Sequence, residues 1–140
     1  GREVEYHTAV LLEKLSDNLL TRIQFLGERA DVYDLMQAMD ILCLSSAWGE
    51  GFPNVLGEAM SFGIPCVTTD IADSAEIVAQ TGLIVPPSDP TKLSYAVSSL
   101  VELSFEERCI LGKQARKRIC ERYSMQANTK IYETAYSKIL

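Results

Sequence analysis

Trp48-Gly-Glu-Gly-Phe-Pro-Asn-Val-Leu-Gly-Glu-Ala-Met-Ser-Phe-Gly-Ile-Pro-Cys-Val67 is the stretch whose reading decides the fold. It follows the apolar run Ile41 to Leu44 and the link Ser45-Ser46-Ala47, and it leads into a second apolar run, Cys66-Val67-Thr68. Its breakers spell strand, glycine-bearing loop, helix, stop, strand. Pro53 has the φ that a first helical turn needs and lacks an N–H that this turn could not pair, so a helix is expected from Pro53 or one residue later. Gly63 ends that helix, and Ile64-Pro65 prevents it from resuming.

A helix start leaves unpaired backbone N–H groups with partial positive charge, where an anion is expected. Gly49 and Gly51 put no side chain in the way, so a phosphate can sit against the main chain of Gly51 to Val55. Glu50 precedes the helix and Glu58 lies one turn beyond Asn54, which places both carboxylates on one rim of the same pocket. Two carboxylates beside a phosphate do not hold it. They suit sugar hydroxyls, since each ionised carboxylate accepts from adjacent hydroxyls on a ring. A plainer reading stays open on these residues alone: Glu58 complements the helix dipole, for about 0.3–1 kcal/mol, and Glu50 is a solvated loop residue.

The chain has 140 residues, enough for one domain with a core. Its 19 acidic against 13 basic side chains make nucleic acid an unfavourable partner, while a nucleotide remains compatible with binding at a helix terminus. Cys43, Cys66, Cys109 and Cys120 form no Cys-x-x-Cys pair and read as reduced thiols of a cytosolic protein. Neither a signal peptide nor an apolar stretch of membrane-spanning length is read.

In chain order, Thr8 to Leu15 reads as a helix, Arg22 to Leu26 as a strand closed by Gly27, and Asp31 as the cap of a helix to about Met39 with Val32, Leu35, Met36 and Met39 inward. Ile41 to Leu44 is short and uniformly apolar, which predicts a strand buried on both faces. Asp73-Ser-Ala-Glu76 has the spacing of a capping pair, preferred over a metal site because no further ligand completes a shell. Gly82 to Val85 is a further strand. Three helices come after it: one from Pro90 or Thr91 with Leu93, Ala96, Val97, Leu100 and Val101 on one face, then Ser104 to Arg122, then Ser124 to Leu140. Lys113, Arg116, Lys117, Arg118 and Arg122 read as a solvated helix face, with attraction to a membrane surface as the alternative. His7, the only histidine, reads as solvated. Strands alternating with helices predict an α/β, Rossmann-like parallel sheet with helices on both faces.

Glu50-Gly-Phe-Pro-Asn-Val-Leu-Gly-Glu58, continued by Gly63-Ile-Pro65, resembles the E-x7-E signature of the large retaining glycosyltransferase group 4 family, with seven residues between the glutamates. Phe25-Leu-Gly27, Asp40-Ile41, Thr81-Gly-Leu-Ile-Val-Pro-Pro87 with Asp89-Pro90, and Arg122-Tyr123-Ser124 resemble the same family in the same order. The resemblance implies that residues 1–140 are the later part of the C-terminal, nucleotide-sugar-binding domain of a GT-B fold, without the start of that domain and without the N-terminal acceptor domain. It assigns Glu50 to the donor sugar beside the anomeric centre, as the catalytic position. Gly51, Phe52, Pro53, Asn54 and Val55 match the loop and helix start that meet sugar and diphosphate. Glu58 matches the binder of the ribose hydroxyls, and Arg29 falls in the loop that contacts the base.

The resemblance also implies transfer of a hexose, with retention, from a UDP- or GDP-linked donor to a glycan or lipid-linked acceptor in bacterial polysaccharide or lipopolysaccharide biosynthesis. No metal or other cofactor is expected. The family's Arg and Lys pair on the leaving diphosphate falls before this chain's first residue, so the 140 residues are expected to bind donor weakly and to transfer nothing alone. A cytoplasmic location is expected, with the inner face of the membrane as a variant through peripheral association of the full-length enzyme. The last helix, with Ile131, Tyr132, Tyr136, Ile139 and Leu140, is expected to pack on the missing domain. The competing reading is a non-catalytic nucleotide-binding or scaffold module of the same fold.

Overall fold

The structure is a computed structural model that describes residues 15–138. The helix expected over Thr8 to Leu15 lies, but for its last residue, outside the described residues, as do His7, Ile139 and Leu140. The chain divides into two compact units, Gly1–Val32 and Tyr33–Leu140.

In the first unit, helix α1 spans Asp17–Leu20. The strand expected over Arg22 to Leu26 is not formed: Arg22 closes a turn on the Leu19 carbonyl, residues 23–26 are irregular, and Ile23, Phe25 and Leu26 are each more than 40% exposed. A strand exists by virtue of its ladder, and β-forming side chains without a pairing partner stay irregular. Asp31 stands just before helix α2, Val32–Gln37, but its carboxylate is taken by Arg29, whose Nε donates to Oδ1 at 2.7 Å and Nη2 to Oδ2 at 2.6 Å. The expected side-chain cap is thus replaced by a forked ion pair.

Helix α2 closes earlier than expected because Ala38 and Met39 tighten to the carbonyls of Leu35 and Met36. Of its expected inward residues Met36 is buried and Leu35 half-buried, while Val32 and Met39 are exposed.

The second unit holds a three-stranded parallel sheet, β1 Leu42–Leu44, β2 Cys66–Thr69 and β3 Leu83–Val85, in that order. Leu42 lies opposite Cys66 and Leu44 opposite Thr68; Val67 lies opposite Leu83 and Thr69 opposite Val85. All four β2 residues are buried. Since successive side chains point to opposite faces, Cys66 and Val67 feed two separate cores. Cys66 packs with Leu56, Met60, Ile77, Ala115 and Ile119; Val67 packs with Val85, Ala96 and Leu100. Helices α3 Asn54–Ser61, α4 Ser74–Val78 and α6 Phe105–Arg122 therefore supply one face, and α5 Pro90–Glu102 the other. Among the described residues β1 is an edge strand, and its Cys43 is exposed. The expected burial of β1 on both faces is corrected: an apolar run too short to carry alternation does not reveal which side has a neighbour.

The last three helices begin within a residue of where the sequence places their starts. Asp89 accepts from the amide of Lys92 at 2.9 Å ahead of α5, and Pro90 opens that helix. Ser104 and Glu107 form a reciprocal capping box on α6. Ser124 accepts from the amide of Ala127 at the start of α7, Met125–Tyr136. Three expectations about the helices fail. Asp73 occupies the N-cap position of α4 without a side-chain bond to it. Val101 lies 60% exposed, off the buried stripe of α5. Arg118 is not a solvated cation either: its Nε donates to the carbonyl of Ile77 at 2.9 Å and its Nη2 to that of Glu76, tying α6 to α4.

Candidate donor site

The loop between β1 and α3 runs from Ser45 to Pro53 at the carboxyl end of a parallel strand, where open α/β sheets bind their ligands. Gly49 turns it at φ +84°, a backbone region that favours glycine. A Cβ placed on Gly49 or Gly51 would meet nothing within 4 Å, so the space beside both is open. Trp48 is 84% exposed, and Gly51 and Asn54 are exposed as well. Packing does not seal this turn.

Pro53 is the N-cap of α3, with φ −74°, and makes no side-chain cap bond. It is buried, so it anchors the loop while the residues around it stay accessible. The Leu56 amide turns back to the Pro53 carbonyl at 3.0 Å, but no described residue accepts from the amides of Asn54 or Val55. Two N–H groups of the first turn are thus left for an external acceptor. At the other end, Gly63 at φ +78° donates to the carbonyl of Met60 at 2.9 Å, and Ile64 to that of Ala59 at 3.1 Å. This Schellman pattern, with Ile64 buried beside Ala59, stops α3 where Gly63-Ile-Pro65 predicts.

Both glutamates are half-buried, and each is held by a hydroxyl. Ser46 Oγ donates to Glu50 Oε1 at 2.7 Å, and Tyr33 Oη donates to Glu58 Oε1 at 3.2 Å. Tyr33 in turn leans on Phe62, with centroids 6.5 Å apart. Phe52 packs tilted on Tyr123, at the end of α6, with centroids 5.7 Å apart; Val55 packs against the core. The sequence reading missed Ser46, Tyr33 and Tyr123 as supports. The one signal for Ser46 was a pair of hydroxyl residues, Ser45-Ser46, after an apolar strand. Arg29 lies in the first unit, its guanidinium paired with Asp31; the pair holds the Asp31 carboxyl below its ordinary value and Arg29 above its own. Among the described residues no group of three or more His, Cys, Asp or Glu is placed to hold a metal ion. A groove of 830 Å³, lined by Glu76, Tyr123, Asn128, Ile131 and Thr134 among others, contains neither glutamate.

A family model described as glycosyl transferases group 1 matches residues 3–103. The chain belongs to this family. Among curated relatives of this chain, N-acetyl-alpha-D-glucosaminyl L-malate synthase of Bacillus anthracis is 30% identical over 121 residues, covering 85% of this chain and 31% of that protein. The lipopolysaccharide core biosynthesis mannosyltransferase LpsB of Rhizobium meliloti (strain 1021) is 33% identical over 88 residues, covering 60% of this chain and 25% of that one. Among solved structures, Anabaena HepE in complex with UDP superposes with a TM-score of 0.82 at 27% identity, covering 96% of this chain and 38% of that one. The same protein in complex with UDP-glucose gives 0.75. The fold is thus that of the GT-B glycosyltransferases, as the motif implied, and the chain spans about a third of the length of the first relative it matches.

Proposed function

We propose that this chain is the donor-binding part of a retaining glycosyltransferase that moves a hexose from a nucleotide-diphosphate sugar to a glycan or lipid-linked acceptor in bacterial polysaccharide or lipopolysaccharide biosynthesis. One observation carries the reading. An uncapped, open helix start offers the amides of Asn54 and Val55, and Glu50 and Glu58 stand before and within that helix. The HepE complexes with UDP and UDP-glucose support a nucleotide-sugar donor.

Breaking the anomeric C–O bond builds positive character on the sugar and negative character on the leaving diphosphate. The amide dipoles of Gly51 to Val55 stabilise the second. Glu50, beside the anomeric centre, offsets the first; Glu58 accepts from the ribose hydroxyls; Arg29 is assigned to the base by the family resemblance alone. Pro53 contributes position alone, having no N–H. No divalent metal takes part. On this reading the 140 residues bind donor and transfer no sugar by themselves.

Calorimetric titration of the chain with UDP, UDP-glucose and GDP-mannose tests this. Saturable binding of one nucleotide series is expected, with Glu58→Ala weakening it by about tenfold or more, as for a lost hydrogen bond to a charged group. Absence of saturable heat with every nucleotide overturns the donor reading and leaves a scaffold of the same fold.

A further inference from the structure

Ser46 is fixed at both ends. Its carbonyl accepts from Thr69 Oγ1 at 2.5 Å, and its own hydroxyl donates to Glu50 Oε1 at 2.7 Å. Thr69 is the last residue of β2 and is buried, and its register partner is Val85 of β3. Two hydrogen bonds, joined through the covalent frame of Ser46, therefore link the middle strand of the sheet to the carboxylate. Only Ala47, Trp48 and Gly49 separate Ser46 from Glu50, so the turn at Gly49 closes a short loop pinned at its two ends. An unrestrained glutamate side chain samples many rotamers. Here one oxygen is held, while no described residue bonds Oε2.

We infer that Ser46, supported by Thr69, is the positioning residue for Glu50, presenting Oε2 to the ligand while its own hydroxyl occupies Oε1. The role of the ligand rests on the donor-site reading above; the contact itself does not. A serine hydroxyl is suited to this work because it donates to the carboxylate without adding charge beside the developing cation. The Thr69 bond ties the loop residue Ser46 to β2, so the orientation of the carboxylate is coupled to the sheet.

Two measurements on the 140-residue chain and its Ser46→Ala, Ser46→Thr and Thr69→Val variants test the inference. The first is the side-chain carboxyl carbon resonance of Glu50 by NMR in the ligand-free protein. It is expected to move in Ser46→Ala, to return towards wild type in Ser46→Thr, and to move less in Thr69→Val. The second is calorimetric affinity for UDP-glucose and for UDP. Ser46→Ala is expected to weaken UDP-glucose by about tenfold, as for a charge-assisted hydrogen bond, and to leave UDP within about twofold. A Ser46→Ala protein with an unmoved Glu50 resonance overturns the inference, as does equal loss of UDP and UDP-glucose, which marks a merely structural role. If the wild type binds neither nucleotide, the donor reading falls and Ser46 has no ligand to present Glu50 to, whatever the carboxyl resonance then says of the contact.

Discussion

Gly112 of α6 lies directly against Gly63, the residue that ends α3: a Cβ at 112 would stand 1.8 Å from the Gly63 carbonyl oxygen and 2.8 Å from its carbon. Both atoms belong to backbone, so neither can swing aside. Gly112→Ala is expected to push α6 off α3 and to destabilise the chain by about 1–3 kcal/mol, at the upper end of that overpacking range. Urea denaturation followed by circular dichroism measures it. Stability unchanged within error would mean that the two helices are not this close.

Gly57, on the helix facing Gly112, predicts the opposite sign. A Cβ there would meet only Ile119 Cδ1 at 3.9 Å, an ordinary contact. Gly57→Ala is expected to stabilise by up to about 1 kcal/mol, the helix-propensity difference. The same denaturation assay applies, and a loss of stability would reveal a constraint at α3 that the packing does not contain.

Arg118 donates to two carbonyls of α4 at once. Arg118→Met keeps the aliphatic stem and removes both bonds, with an expected loss of about 1–3 kcal/mol. Lysine offers a single head in place of a planar fork and is expected to rescue little. Lys113→Met, at an exposed position on the same helix, serves as the control and should change stability by less than about 0.5 kcal/mol.

The capping box on α6 carries a pH dependence. Glu107 accepts from the Ser104 amide and the Ser104 hydroxyl contact adds to this, so its carboxyl is held below the ordinary glutamate value. A lowered folded value means stability that is fully present above the unfolded value and is lost as pH falls through the folded one. Glu107→Gln should therefore be less stable than wild type at neutral pH, and the two should converge as pH drops below the usual glutamate range. Thermal melts across that range check it, and a constant gap would deny the charge any part in the cap.

Thiol labelling should separate the four cysteines. Burial pushes the Cys66 thiol up to about 12, and the residue is 1% exposed; Cys120 is exposed. A maleimide at neutral pH is expected to modify Cys120 readily and Cys66 only after unfolding, because the thiolate is the reactive form. Mass mapping of native and denatured samples reads this directly, and native labelling of Cys66 would contradict the buried position of β2.

Much of the chain was legible without coordinates. Pro53, Gly63, Pro90, Ser104 and Ser124 mark helix ends through contacts that span about four residues, and such contacts are written in the local order of residues. The family emerged from the spacing of Glu50 and Glu58 together with the residues between them. Where a neighbour distant in sequence decides the outcome, the reading went astray: the unpaired Arg22 to Leu26, the exposed Cys43, Asp31 taken by Arg29, and Arg118 drawn to α4.

What the order of residues determined by itself is the alternation of elements, the ends of the helices and the glutamate-bearing loop that opens at the start of α3, since these depend on backbone preferences and short-range hydrogen bonds. Tertiary structure alone decided that Thr69 reaches Ser46 and that Tyr33 reaches Glu58. The first of these joins residues 23 positions apart and the last joins residues 25 apart. Such bonds form only after parallel strands and their helices have packed, because the donors and acceptors are brought within reach by burial of the two apolar faces of β2 and by nothing in their own sequence neighbourhood.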